Sequence, residues 1–350
     1  MFEALTSRKT DFPVVDITAT SEYILKVQKQ DGEIPWSKNG KTDPWDHVES
    51  AMGLTVGGYY EEAQKAYRWS GEVQMDDGSW WSEYIDGRPQ MNAYKDTNMT
   101  AYLSVGLLHY YLTTRDRDLL RRLWQTVSRS MEFVISLQGP QGEMFWAKRQ
   151  DGSVDQTALL TGSSSIYLSL DCALKIADIL NKKRPLWEAA KIKLGKAIKH
   201  KPHLFDQSKS RFSMDWYYPM LCGVITGEKA LERLKASWST FIVPDWGVLC
   251  VSDEPWVTIA ESSELAVSLA AMGLFEESEM IFSWIQDKKY EDGAYWTGVT
   301  VPDGVIYTEE KTTWTAAAVL LAADILYDLT PASRFFSTAH YPQGRTRRLP

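Results

Sequence analysis

The sequence predicts an all-α fold, a single ring of six outer and six inner helices. Three observations lead there. A helix–loop–helix unit recurs about six times at a spacing of roughly 50 residues, the signature of an array of supersecondary units. Helical periodicity dominates, and no segment sustains the period-two alternation of a half-buried strand. The helices also fall into two alternating kinds, one amphipathic and one apolar nearly all round.

The amphipathic kind is expected at about 16–29, 59–74, 117–138, 186–200, 227–242 and 274–288. Leu119, Leu123, Val127, Met131 and Val134 draw the apolar stripe of the third. These are outer helices. The other kind, rich in Ala, Gly, Ser and Leu, is expected at about 45–58, 97–113, 161–180, 216–226, 258–272 and 312–328. Stretches such as AAAVLLAADIL (316–326) and LAVSLAAMGL (265–274) have no polar face to offer water, so these helices are inner ones. The last inner helix has no outer helix after it. The N-terminal helix fills that place and closes an (α/α)6 toroid. The ring accounts for residues 1–330 as one catalytic domain, and 331–350 form a polar, arginine-rich tail expected to be loose.

The long loops from each outer helix to the next inner helix share one face. They read QKQDGEIPW (28–36), QMDDGSWW (74–81), QGPQGEMFW (138–146), FDQSKSRFSMDW (205–216), PDWGVLCVSDEPW (244–256) and YEDGAYW (290–296). Long loops on one face of a ring place the pocket at its centre.

Composition narrows the function. Net charge is −8, and basic residues cluster only at 182–184, 191–201 and 345–348, which argues against a nucleic-acid partner. No apolar run reaches the length of a membrane span. Three cysteines form no C-x-x-C pair, and the N-terminus lacks the order of a signal peptide, so a cytoplasmic location is expected. Five scattered histidines give no metal-ligand spacing, and no glycine motif cradles a nucleotide, so no metal or cofactor is expected. The sequence leaves the oligomeric state open.

Each inner helix opens on a polar cluster: PWDHVES (44–50), YKDTNMT (94–100), LTGSSSIY (160–167), SMDWYYP (213–219), VTIAESSE (257–264) and TEEKTTW (308–314). Part of this is ordinary N-capping. Glu261 and Glu264 are different, because they lie three apart on one face of a helix otherwise small and apolar. Charged groups are rarely buried unpaired. They either meet Lys311, Arg88 or Lys95, or face a solvent-filled pocket. Together with Asp46, His47, Glu49, Asp96, Asp215, Glu309 and Glu310, they make a face rich in carboxyls. Trp45, Trp216, Trp256 and Trp314 add aromatic surface. That mixture suits sugars: aromatic rings stack on a pyranose, carboxylates bind hydroxyls, and two carboxyls flanking a glycosidic bond serve as general acid and general base.

Two resemblances bear on this reading. The stretches DTNMTAYLSVGLLHYYLTTRDRDLLRRLWQTVSRSMEFV (96–134), MFWAKRQDGS with SSIYLSLDCALKIADIL (144–180) and EEKTTWTAAAVLLAA (309–323) resemble the glucoamylase-like branch of the six-hairpin glycosidases. That resemblance implies an inverting hydrolase of a small-molecule or oligosaccharide substrate, with Glu309 or Glu310 as base. It puts the acid directly after Trp146, where this sequence has Ala147. Glu261 is then the first choice of acid, with Glu143 and Asp155 behind it. Separately, QMDDGSW (74–80) resembles the Q-x-x-D-G-x-W repeat of terpenoid cyclases and protein prenyltransferases. Neither family's catalytic motifs accompany it. An isoprenoid enzyme and a non-catalytic glycan-binding protein stand as the alternatives.

Overall fold

A computed structural model describes residues 15–337. The outer helices are α1 (Ile17–Val27), α3 (Tyr60–Glu72), α6 (Arg117–Ser136), α8 (Pro185–His200), α10 (Glu228–Phe241) and α12 (Phe275–Ser283). The inner ones are α2 (Pro44–Val56), α4 (Thr97–Ala101) continued by α5 (Leu103–Thr114), α7 (Leu160–Ile179), α9 (Ser213–Leu221), α11 (Ile259–Ala271) and α13 (Thr313–Tyr327). All thirteen residues of α11 are buried, as a helix without a polar face requires. Along the inner ring α2 packs on α5, α5 on α7, α7 on α9, α9 on α11, α11 on α13 and α13 on α2. The fold is the helical toroid expected from the sequence.

The repeat turns show how each outer helix is tied to the next. Gln28, Gln74 and Gln138 each spend their amide twice. One hydrogen bond goes to the carbonyl of the turn glycine (Gly32, Gly78, Gly142), at 3.1, 2.9 and 3.1 Å. The other goes to a carbonyl of the following outer helix (Glu62, Thr126, Ala190), at 3.0, 2.9 and 2.9 Å. The glycines are obligatory twice over. Their φ angles are +103°, +89° and +104°, and a Cβ would lie within 2.6 Å of the carbonyl oxygen of Lys65, Arg129 or Lys193. Gly293, in the last turn, has φ +89° and approaches Ala19 of α1 in the same way. Helix α1 also packs on α13 and α2, the contacts that closure by the N-terminal helix requires.

Two expectations need amending. The long loops contain short strands: a three-stranded sheet (Lys95–Asp96, Ala147–Lys148, Val154–Asp155) and a four-stranded one (Ile242–Val243, Gly247–Leu249, Trp256–Thr258, Gly298–Thr300). Strands of two or three residues are too short to print an alternation. The segment 331–337, assigned to a loose tail, folds as turns with Ala332, Phe335 and Phe336 buried. Two adjacent phenylalanines bury enough apolar surface to hold that stretch down. The rest of the expected tail and residues 1–14 lie outside the described residues. Among the described residues no helix is long and apolar enough to cross a membrane.

Candidate active site

The inner helices deliver their N-terminal carboxyls to the centre of the ring. On α2 the three acids follow helical spacing. Asp43 is the N-cap and accepts from the Asp46 N–H (2.9 Å), Asp46 lies one turn in, and Glu49 one turn deeper. Asp43 and Glu49 are buried and Asp46 is half-buried, so Asp46 is the most exposed of the three. Burial raises all three above their ordinary pKa values. For Asp46 the neighbouring charges of Asp43 and Glu49 add to burial, and its carboxyl is held well above the carboxylate range. Asp43 and Asp46 also share a side-chain hydrogen bond. Two facing carboxyls that cannot both ionise share a proton.

Glu261 and Glu264 occupy the matching positions on α11. Both are buried, and neither takes a cation. Lys95 and Lys311 bind Asp77 and Asp292 of the repeat turns instead, each at 2.6 Å. Glu264 accepts hydrogen bonds from the hydroxyls of Tyr217 and Tyr218, the latter at 2.5 Å. Burial first, and the charge of Glu49 next, keep its carboxyl well above the ordinary range. Glu49 accepts from Trp45 Nε1 (3.0 Å) and the Tyr102 hydroxyl (3.2 Å), and burial raises it to about 7. The Trp314 indole N–H lies beside the same carboxyl, short of hydrogen-bond geometry. Below them a hole of about 20 Å³, lined by Glu49, Glu264, Tyr102, Tyr218 and Phe336 among others, is large enough for one water. Higher up, Glu261 bonds the Cys250 thiol and its charge reaches Tyr217 and Glu264. The acids of α2 and α11 therefore form one electrostatic unit.

No family model matches this sequence. Over 325 residues, 93% of this chain and 90% of the relative, it is 42% identical to the MMP endo-(1,4)-3-O-methyl-alpha-D-mannosidase of Mycolicibacterium hassiacum. The chain belongs to the same family and is a glycoside hydrolase. Solved structures share its fold at low identity. A GH63 mannosylglycerate hydrolase from Thermus thermophilus, in complex with glucose, has a TM-score of 0.68 at 11% identity, covering 87% of this chain and 98% of that one. A wild-type glycosidase has 0.67 at 14%, covering 91% and 97%.

Not every polar residue that opens an inner helix of this glycoside hydrolase joins the central cluster. His47 is fully buried. Its Nδ1 accepts from the Ile34 N–H (3.1 Å), its Nε2 meets the Ala66 carbonyl (2.9 Å), and burial lowers its pKa to about 4. It ties α2 to α3 as a neutral ring. Trp216 stacks on Phe241 at 5.3 Å, and its N–H goes to the Arg233 carbonyl. It lines, with Asp215, a separate cavity of about 730 Å³ between α8 and α10 on the outside of the ring. Asp215 is taken by the Thr161 amide and hydroxyl at 3.1 and 2.6 Å. Asp96 caps α4 and accepts from Trp146 Nε1 (2.6 Å), while Ala147 pairs with its backbone. Burial raises its carboxyl to about 6. The position after Trp146 is thus filled by a buried strand residue.

Glu309 and Glu310 lie outside the helix, on the exposed loop before α13, and Glu310 accepts from Ser37 Oγ at 2.9 Å. Trp256 donates its N–H to the Tyr307 carbonyl of that loop. Glu143 occupies the repeat turn position held elsewhere by Glu33 and Ser79, and Asp155 pairs with Arg149. Asp43, the hydrogen-bonded partner of Asp46, carries no signal in the sequence beyond that of a helix cap. Among the described residues no group of three His, Cys, Asp or Glu is arranged to hold a metal ion.

Proposed function

We propose that this chain hydrolyses internal α-mannosidic bonds of a 4-linked, O-methylated mannose polysaccharide, with inversion. The observation that carries the substrate class is the 42% identity, over 93% of the chain, with an enzyme named for that reaction. Asp46 is the general acid and Glu261 the general base. Asp46 supports its role in three ways: it is half-buried, it keeps a proton, and Asp43 stands beside it to hold that proton in the resting enzyme. In the reaction the Asp46 proton passes to the glycosidic oxygen as the bond from that oxygen to the anomeric carbon breaks. Glu261 takes a proton from a water that attacks the opposite face of the sugar. Positive charge developing on the ring is met by a site rich in carboxyls and without a paired cation, which favours the transition state over the neutral substrate. Trp45 and Trp314 supply apolar faces at the floor.

The repeat glutamines spend their amides on helix carbonyls, a tying role that says nothing in favour of an isoprenoid substrate. The test is turnover of a 4-linked α-mannan oligosaccharide. Asp46→Asn and Glu261→Gln should each lower kcat by about 10²- to 10⁴-fold, as loss of a general acid or base does. Glu309→Gln and Glu310→Gln should retain turnover. Proton NMR of the first product should show the β-anomer. Collapse with Glu309 or Glu310 and not with Glu261 would return the base to the loop before α13, and an α-anomer product would end the inverting scheme.

A further inference from the structure

Beside Asp43, on the outer side of the carboxyl cluster, lies a cavity of about 370 Å³, within the size range of small-molecule sites. Most of its wall is polar. Lys41, Glu83 and Asn92 present a cation, an anion and an amide, which is hydroxyl-binding chemistry. Two thioethers interrupt this wall, Met99 half-buried and Met91 at 91% exposure. An exposed methionine on a loose loop would need no explanation. This loop is held. The side-chain amide of Gln150, from the neighbouring hairpin, donates to the carbonyls of Met91 at 2.8 Å and Ala93 at 3.0 Å, with Gln90 at 3.4 Å. Ser82 and Tyr94 fasten its two ends to each other: the Tyr94 carbonyl accepts from the Ser82 N–H at 2.7 Å, and the Ser82 hydroxyl accepts from the Tyr94 N–H at 3.2 Å. The chain therefore fixes the backbone of Met91 while leaving its side chain in water, next to a catalytic carboxyl pair. Ile85, in the two-residue strand Tyr84–Ile85 that pairs with Arg88–Pro89 just before this loop, is 41% exposed.

We propose that this cavity is a sugar subsite bordering the point of cleavage, and that Met91 is its specificity-determining contact for a methyl ether. The inference rests on the mannosidase reading and adds to it the residue that separates a methylated from an unmethylated sugar. A thioether is polarizable and unbranched, and it packs on a methyl group without asking for a hydrogen bond. The polar groups around it hold the remaining hydroxyls. A site built only for free hydroxyls would place a donor or acceptor where Met91 stands.

The experiment compares kcat/KM for two oligosaccharides of 4-linked α-mannose, one carrying 3-O-methyl groups and one without. The wild-type enzyme prefers the methylated one. Met91→Ala should lower that preference about 10- to 20-fold, the lower end of what a methyl group is worth in an apolar site, with the methylated substrate carrying the loss. Met91→Gln, which offers an amide at the same length, should lower it at least as far. Gln150→Ala releases the loop and should raise KM for both substrates together. Because Met91 is exposed, neither substitution there threatens folding. Parallel losses on both substrates, an unaltered preference, or a wild-type enzyme indifferent to methylation would each overturn the proposal. Failure of the wild-type enzyme to cleave either oligosaccharide would instead sink the mannosidase reading, and the inference with it.

Discussion

Gly293→Ala tests ring closure directly. The last repeat turn before α13 meets the α1 backbone closely at this glycine: a Cβ there would lie 2.2 Å from the Ala19 carbonyl oxygen and 2.5 Å from its carbon. Both are backbone atoms and cannot swing away. Two costs add. A left-handed φ costs an alanine about 1–2 kcal/mol. Forcing a methyl group into occupied space costs about 1–3 kcal/mol. The sum is about 2–5 kcal/mol. With an unfolding entropy of roughly 2.1 cal/mol/K per residue, a chain of this length changes Tm by about 1.4 °C per kcal/mol, so Tm should fall by roughly 3–7 °C. Gly152→Ala is the control. Its φ is +84° and nothing lies within 4 Å of the added Cβ, so it carries the first cost alone, about 1–3 °C. Differential scanning fluorimetry on the two variants separates the terms. Equal shifts would mean that the contact between the last turn and α1 is not made in solution, and the closure argument would fail.

Two further outcomes follow from hydrogen bonds and burial. Gln74→Ala strands the carbonyls of Gly78 and Thr126 and should cost about 1–3 kcal/mol in denaturant unfolding; a change near zero would make the repeat glutamine dispensable. Glu49 titrates at about 7 in place of 4.5 because it is buried. Its raised value means that its contribution to stability is complete below its unfolded pKa and is lost as pH rises through about 7. Between about pH 5 and pH 8 the wild type should therefore lose roughly 1–3 kcal/mol more stability than Glu49→Gln, read from urea midpoints. Parallel pH curves for the two proteins would show that Glu49 is not the titrating group.

The helices were legible because an inner helix cannot hide its composition: AAAVLLAADIL has no polar face and has to be surrounded. The candidate site was legible in kind and only partly in detail. Clusters at helix starts show which residues are near the face, and direction has to come from helical spacing. At 100° per residue Asp46 and Glu49 share a side of α2, while His47 points away into α3. On α9 it is Tyr217 and Tyr218 that reach Glu264 of α11, while Asp215 is taken up by Thr161 of α7. Glu309 and Glu310 were tied to the last inner helix by nearness in sequence. Thr312 caps that helix, so both stand outside it on an extended loop, a boundary that the string TEEKTTW does not mark. The short strands and the fastened loop around Met91 depend on pairing between loops far apart in sequence, and no local pattern carries that.

The proton inventory explains why a site so rich in acid can be stable and active at once. Asp43, Asp46, Glu49 and Glu264 cannot all ionise in one desolvated cluster: Lys95 and Lys311 are committed to the repeat turns, and Lys41, whose charge reaches Asp43 and Asp46, is paired with Glu83. Each group that stays neutral relieves its neighbours of repulsion. The deep members, Glu49 and Glu264, are buried and fixed by indole and phenol donors. Asp46 is the most exposed of the four, and its carboxyl is held well above the ordinary range. The general acid proposed for this hydrolase needs a carboxyl of that kind, and the crowding of the others favours it in Asp46. On the proposed assignment, adding a lysine to the cluster would act against the enzyme: it would favour ionised Asp46 and so remove the proposed acid while leaving every carboxyl in place.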